Sequence, residues 1–303
     1  MASRGAGSRS SRSSSTSSLS HEHDEANQEA AVEIEAEGDE AHDDPLNIYD
    51  TGLSNLFSIP PIAFSTTSPT SLYIYGPPPA ARTQTPIRLR VPTPGASVFN
   101  KLQANHVWLS ALYLADQITT GEVQLGSRVL ELGAGAGLPG IAACLLGCDV
   151  LSTDWGDEDI LACLESNFNR NCETKSAGHW AAMSHEWGSD PIKLLAFGSH
   201  PSGEDKAVSN IGSHDPKPKR FDTLLLADTL WVSSAHSVLL DSIQALLAPK
   251  GMAHIAAGLH TGRWPVESFI KQAEERGAHI ERVREVRWAG AGQWEVMDQA
   301  DDA

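Results

Sequence analysis

One stretch of this chain leaves little choice of fold. It is the run Arg128-Val-Leu-Glu-Leu-Gly-Ala-Gly-Ala-Gly-Leu-Pro-Gly140, followed one strand–helix unit later by Thr153-Asp154-Trp155. Arg128 to Leu132 reads as a buried strand carrying a single acid, Glu131. Gly133, Gly135 and Gly137 then make a turn without side-chain bulk, so a ligand can press against bare backbone. Pro139 suits the first turn of the helix beyond. The next strand, Asp149 to Thr153, delivers the carboxylate of Asp154 at its C-terminal end, where a parallel α/β sheet holds a ribose.

Two nucleotide-type ligands compete for such a loop. Counted from Gly135, the spacing Gly135-x-Gly137-x-x-Gly140 matches a dinucleotide fingerprint, with Asp154 at the expected distance. Yet the strand ends at Leu132, so the first turn glycine is Gly133, and in that frame Leu138 stands where the third glycine belongs. Glu131 also disfavours a pyrophosphate, because like charges repel. It suits a ligand with an ammonium group, and S-adenosylmethionine has one. That ligand also offers a carboxylate to the helix N-terminus and a ribose diol to Asp154. An ordinary glycine-rich turn is the plain alternative.

The 303 residues suffice for one large or two small domains, and a 41% hydrophobic fraction supports a core. No apolar run approaches the ~20 residues that cross a bilayer. Residues 1–20 are rich in Ser and Arg but lack the apolar residues of an amphipathic targeting helix. The net charge of -17 gathers in the acidic tail that follows. An acidic chain of this kind speaks against nucleic acid and suits a basic partner, although a solvated acidic surface explains it equally well. Cys144, Cys148, Cys163 and Cys172 form no C-x-x-C pair and read as reduced core thiols of a cytoplasmic protein. The 12 His show no metal-ligand spacing, so no metal is expected.

Residues 1–45 form a low-complexity, disordered tail in this reading. Residues 46–100 form an N-terminal extension, with Leu72–Tyr75 and Ile87–Val91 as a β-hairpin across Gly76-Pro-Pro-Pro79. From residue 101 to 303, helix follows strand. A helix is expected over Ala104–Ile118, strands at Arg128–Leu132, Asp149–Thr153, His179–Trp187, Phe221–Ala227 and Met252–Leu259, and helices between them. Asp157, Ala235 and Pro265 open three of those helices. His279–Trp288 and Gln293–Met297 would close the sheet as an antiparallel pair. The expectation is an α/β fold: a doubly wound, mostly parallel sheet of seven strands, Rossmann-like, with a mobile surface insertion at 188–220.

At this point the motifs resemble a known family. Glu131-Leu-Gly-Ala-Gly-Ala-Gly137 and Leu246-Leu-Ala-Pro-Lys-Gly251 are similar to those of seven-strand class I S-adenosylmethionine-dependent methyltransferases. Asn105-His-Val-Trp108, Asp154-Trp155, Glu186-Trp-Gly188 and Ala227-Asp-Thr-Leu-Trp231 resemble the lysine methyltransferase family 16 branch. The likeness is greatest to its fungal members, described as nicotinamide N-methyltransferase-like or as N-terminal and lysine methyltransferases of elongation factor 1-alpha. It covers roughly residues 100 to 280. The resemblance implies that Trp108 walls the cofactor site and that Gly133, Ala134 and Gly135 contact the methionine part. It implies that Asp154 binds the ribose, that Trp155 covers the adenine and Trp187 touches its edge, that Ala227 lines the pocket and that Asp228 faces the substrate. For each tryptophan, plain core packing is the alternative. The chain departs from the pattern at Trp231, where lysine-specific members carry Tyr or Phe, and at Val232-Ser233, where elongation-factor members carry Asn-His.

Methyl transfer from a sulfonium is an in-line displacement, and the attacking nitrogen must be uncharged. A lysine with pKa ~10.4 needs ~4–5 kcal/mol to lose its proton at pH 7, and an α-amino group with pKa ~8 needs ~1 kcal/mol. A pyridine nitrogen needs none. Asp228 is placed to orient an ammonium, and Trp231 to line a channel for its stem and charge; an N-cap is the plain alternative for Asp228. The expected function is therefore N-methylation of protein amino groups by a monomeric enzyme, with a translation elongation factor as a candidate partner. Methylation of a small heterocycle such as nicotinamide, a non-catalytic cofactor-binding scaffold and an NAD-dependent reductase are the rival readings.

Overall fold

The computed structural model describes residues 62–297 except 67, 69, 96–102, 175, 199–218 and 291. The expected tail and the bulk of the expected insertion lie outside the described residues. In chain order the elements are Ala63–Phe64 (β1), Tyr73–Tyr75 (β2), Ile87–Leu89 (β3), His106–Val107 (β4), Leu109–Thr120 (α1), Arg128–Leu132 (β5), Leu138–Leu145 (α2), Asp149–Asp154 (β6) and Glu158–Cys172 (α3). They continue with Trp180–Ser184 (β7), Ile192–Leu195 (α4), Phe221–Ala227 (β8), His236–Leu246 (α5), Leu247–Ala256 (β9), Trp264–Glu275 (α6), Val286–Gly290 (β10) and Gln293–Val296 (β11).

The central sheet is parallel, in the order β7-β6-β5-β8-β9. Val129 on β5 pairs with Val150 on one side and Thr223 on the other. The strand order reverses across β5 and β8, and such a switch point opens a crevice at the carboxyl ends of the strands. β8 is central, and Phe221, Leu224, Leu225 and Leu226 are fully buried in it. Burial on both faces is what an unbroken apolar run requires, and each such side chain contributes roughly 1.5–3 kcal/mol. One face of the sheet packs on α1, α2 and α3 through Ile118, Ile141 and Phe168. The other packs on α5 and α6 through Leu239, Leu246 and Phe269.

The strand count differs from expectation. Five strands make the central sheet among the described residues, not seven. β10 and β11 pair only with each other, Trp288 opposite Trp294. Residues 279–285 are not strand, and the hairpin lacks an apolar face long enough to join a core sheet: Arg287 and Glu295 pair across it in solvent. It is tied instead to α1, where Trp294 donates Nε1–H to Asp116 at 2.9 Å and Arg284 reaches Tyr113 and Gln117.

Two further differences bear on the site. The helix expected from Ala104 begins at Leu109, because His106 and Val107 pair with Phe64 and Ala63 as a short antiparallel ladder. The strand expected to reach Trp187 ends at Ser184, so His185, Glu186 and Trp187 turn over the crevice. The hairpin β2–β3 is as read from the sequence, Tyr73 opposite Leu89. Its outer strand is closed by two asparagines of α3. Asn167 and Asn171 each exchange two hydrogen bonds with the backbone of Arg90 and Arg88. Asn167 also donates to the carbonyl of Ala136 at 3.0 Å, which couples this hairpin to the glycine turn.

Candidate active site

The glycine turn owes its shape to backbone that side chains avoid. Gly133, Gly135 and Gly137 have φ of 69°, 53° and 82°. A Cβ on Gly133 would lie 2.9 Å from Thr229 and 3.3 Å from Trp187, and one on Gly137 would lie 2.5 Å from Leu164. The turn is thus pressed between the β8 loop, the β7 loop and α3. Three of its amides are already used. Ala134 donates to Thr153 O, Gly137 to Ala134 O, and Gly135 to Asp154 Oδ2 at 2.7 Å. A phosphate cradle needs such N–H groups free, so this loop is poorly suited to a pyrophosphate.

Glu131 does not line the crevice. It is fully buried beneath the turn, where its carboxyl accepts from Gly140 N–H at 3.2 Å and from the Ser152 hydroxyl. Burial pushes its pKa from 4.5 to about 7, against the pull of those two donors. The physical reason for the departure from expectation is alternation along β5. Leu132 is the last strand residue, and Glu131 points to the α2 face, where Gly140 leaves it room: a Cβ there would lie 2.4 Å from Oε2. Glu131 therefore pins the start of α2 and holds the turn from below.

The remaining residues singled out from the sequence do come together. A cavity of about 360 Å³ is lined by Trp108, by Gly133, Ala134, Gly135 and Gly137, by Asp154 and Trp155, by Trp187, and by Ala227, Asp228 and Trp231. That volume is in the usual range of small-molecule sites, roughly 300–1,000 Å³. Asp154 accepts Gly135 N–H on one oxygen and Trp155 N–H, also at 2.7 Å, on the other. Each oxygen keeps a lone pair for a further donor. Burial raises its pKa and the two amides oppose that. Trp155 is 40% exposed and forms a rim, not a wall.

Asp228 follows β8 with φ 57°, a left-handed conformation rare for a residue with a side chain. It is 8% exposed. Oδ1 accepts from Gly258 N–H at 2.8 Å and from the Ser110 hydroxyl at 3.2 Å. Oδ2 is buried and accepts no hydrogen bond among the described residues. Burial raises this carboxyl's pKa, while His260, Gly258 and Ser110 draw it down. Strain and an orphaned buried oxygen at one residue are costly and are found together at functional positions. His236 accounts for the path of the chain after it: buried at the start of α5, its Nε2 lies 2.8 Å from Leu230 O and fixes the loop that carries Trp231.

Sequence reading missed several contributors. Ser110, Gly258 and His260 surround Asp228, and His106, Thr229 and His185 line the cavity. Gly258 and His260 follow the carboxyl end of β9, and the rule that parallel sheets bind ligands at those ends marks them out. Ser110 had no such signal. Among the described residues no group of three or more His, Cys, Asp and Glu is set to hold a metal, and no helix is long and apolar enough to cross a membrane.

Comparison with known proteins adds to this geometry. Residues 98–197 match a family model described as lysine methyltransferase. The protein N-terminal and lysine N-methyltransferase EFM7 of Gibberella zeae is 31% identical over 197 residues, 61% of this chain and 69% of that one. Its counterpart from Eremothecium gossypii is 30% identical over 221 residues, 69% of this chain and 74% of that one. A TehB-like SAM-dependent methyltransferase from Corynebacterium glutamicum aligns with 66% of this chain and 92% of its own, at 18% identity and a TM-score of 0.38.

Proposed function

The chain belongs to the lysine methyltransferase family, and we propose that it moves a methyl group from S-adenosylmethionine to an amino group of a protein, a lysine or an N-terminal amine. The observation that supports the choice of acceptor is Asp228, which lines the cavity together with Trp108 and Trp231 and has one buried oxygen that accepts no hydrogen bond among the described residues. Such an oxygen suits an N–H donor. The aromatic faces suit a cationic product and its aliphatic stem.

The residues present fit the cofactor. Three glycines keep Cβ atoms out of the turn, and a ribose diol can donate to the lone pairs that Asp154 retains. Trp155 and Trp187 offer apolar faces to an adenine. Ala227 lines the same cavity with a small side chain that would leave room for the transferred methyl group. Glu131, buried under the turn, is not among the residues that line this cavity and takes no direct part in holding the cofactor. Bound there, the cofactor supplies an electrophilic methyl carbon on a cationic sulfur.

What the protein adds is placement and charge. Holding an amine in line with that carbon accounts for much of the barrier reduction, ~7–11 kcal/mol in well-oriented systems. Asp228 orients the amine through its N–H. Trp108 and Trp231 limit access of water to the nitrogen. A neutral heterocycle has no N–H at the attacking nitrogen for Asp228 to accept, which is why the amine reading is preferred. The acceptor we put first is a translation elongation factor, on the likeness of Asn105-His-Val-Trp108 and Glu186-Trp-Gly188 to fungal members of the family. We place the reaction in the cytoplasm, where four unpaired thiols stay reduced, and assign it to a monomer.

The test is incubation with methyl-labelled cofactor and a cytosolic lysate. A labelled protein band that yields methylated amines on hydrolysis is the expected result. Label confined to small molecules would move the assignment to the heterocycle reading. Tight binding of a nicotinamide dinucleotide with indifference to S-adenosylmethionine would overturn it.

A further inference from the structure

Beyond the cavity wall, behind Asp228, stands a histidine with no assigned role. His260 Nε2 lies 3.9 Å from Asp228 Oδ2, and both side chains are only 5% exposed. That is too long for a hydrogen bond and close enough for strong charge coupling at a desolvated site. The ring is held in place on two sides. It stacks on Trp108 with centroids 4.9 Å apart and planes 19° from parallel. It also packs on Gly258, where a Cβ would lie 2.6 Å from Nδ1 and 3.1 Å from Asp228 Oδ1. Gly258 thus leaves the gap into which the imidazole fits, while its own N–H holds the carboxylate.

A bare carboxylate facing an amine creates a problem for methyl transfer. It forms an ion pair with the ammonium and stabilises the protonated form, which has no lone pair to give. If its charge is already balanced, the same carboxylate only accepts a hydrogen bond from the neutral amine. We propose that His260 is the resident counter-ion of Asp228 and so a positioning residue that favours the uncharged acceptor. The ammonium then gives its proton to solvent before transfer. The amine lone pair forms the new N–C bond, and the C–S electron pair returns to sulfur. This inference rests on the amine-methylation reading.

Other groups around the pair do not supply this charge. From α1 the contact is the neutral hydroxyl of Ser110. From β4, His106 is driven down to a pKa of about 4 by burial. Across the cavity stand Asp154, Glu186 and His185, the last with its pKa lowered by burial and its ring engaged with Ser242 and Ser189. Of the neighbours that draw the Asp228 carboxyl down, His260 has the largest influence.

The experiment uses the full chain with His260→Phe, which keeps a ring against Trp108, and His260→Gln, which keeps polarity. Expected in both is a split. KM for an amine peptide stays level or falls, kcat at pH 7 falls about tenfold, and the rising limb of kcat moves to higher pH by about one unit or more. Cofactor affinity stays within about twofold. A uniform loss at all pH values, or an unchanged profile, would overturn the proposal. The ¹³Cγ titration of Asp228, which needs no activity, must move to higher pH in His260→Phe; a midpoint equal to wild type also overturns it. Should the wild type methylate no amine while that titration does move, the amine reading falls and the ion pair stands.

Discussion

The two ends of the cavity are built differently. In the proposed assignment the floor of the cofactor end comes from one continuous stretch: Glu131, the glycine turn, Gly140, Ser152 and Asp154 lie within two adjacent strands and the helix between them. The acceptor end is assembled from distant segments. Ser110 and Asp228 are 118 residues apart, and Gly258 and Asp228 are 30 apart. Local assembly lets backbone amides and glycines do the shaping. Remote assembly depends on side chains meeting across the sheet, and there the backbone at Asp228 is strained and an oxygen accepts no hydrogen bond among the described residues. If the proposed assignment holds, a loop-borne end for a constant cofactor and a side-chain-borne end for the acceptor are expected to fail in different ways.

The largest effect should separate them outright. Asp228→Ala is expected to lower kcat on the order of 10²–10³-fold, comparable to removing one preorganised electrostatic group, while calorimetry shows near-normal cofactor affinity. Equal loss of both would mean that the two ends are not independent. Asp154→Ala should do the reverse, weakening cofactor binding by about 10-fold or more through lost ribose contacts and two unpaired amides, Gly135 and Trp155. Glu131→Ala should act on neither end directly. It strands Gly140 N–H and the Ser152 hydroxyl and is expected to cost about 1–3 kcal/mol of stability in denaturant titration. The smallest effect is expected for Trp155→Ala: at 40% exposure it should change cofactor affinity by less than about 1 kcal/mol in calorimetry.

Glu131 also sharpens the contrast through pH. Its folded pKa is pushed from 4.5 to about 7, so between those values the native state holds a proton that the unfolded chain has released. Stability from this group is complete below about pH 4.5 and is lost as pH rises through about 7. Glu131→Gln mimics the neutral carboxyl, so its melting temperature should vary less between pH 5 and pH 8 than that of the wild type. An identical pH dependence would remove Glu131 from the account.

The parallel sheet was legible where its strands are apolar runs bounded by turn residues, as in Arg128–Leu132 and Phe221–Ala227; β9 instead starts at Leu247 and runs through Pro249-Lys-Gly251, the residues expected to separate helix from strand. Helix starts were legible where capping is local: Asp157 accepts from Asp159 and Ile160, as its type and place suggest. The strand whose membership of the sheet was misjudged lacks such a run. His279–Trp288 alternates too weakly to show whether it joins the sheet, and only contacts with Asp116, Tyr113 and Gln117 place the hairpin it feeds. At the site, the residue types along β5 were read correctly but not their facing. An acid beside three glycines reads as a ligand contact until the helix packing above it shows that the carboxyl points under the turn.

By itself the sequence determined the α/β scaffold, the glycine turn and the carboxylate that ends the neighbouring strand, because these depend on local backbone preference and strand periodicity. Only the tertiary structure decided that Glu131 supports the turn from beneath, that Ser110, Gly258 and His260 converge on Asp228, and that one of its oxygens accepts no hydrogen bond among the described residues. Those are consequences of which faces meet when distant strands and helices pack, and that information belongs to no single segment of the chain.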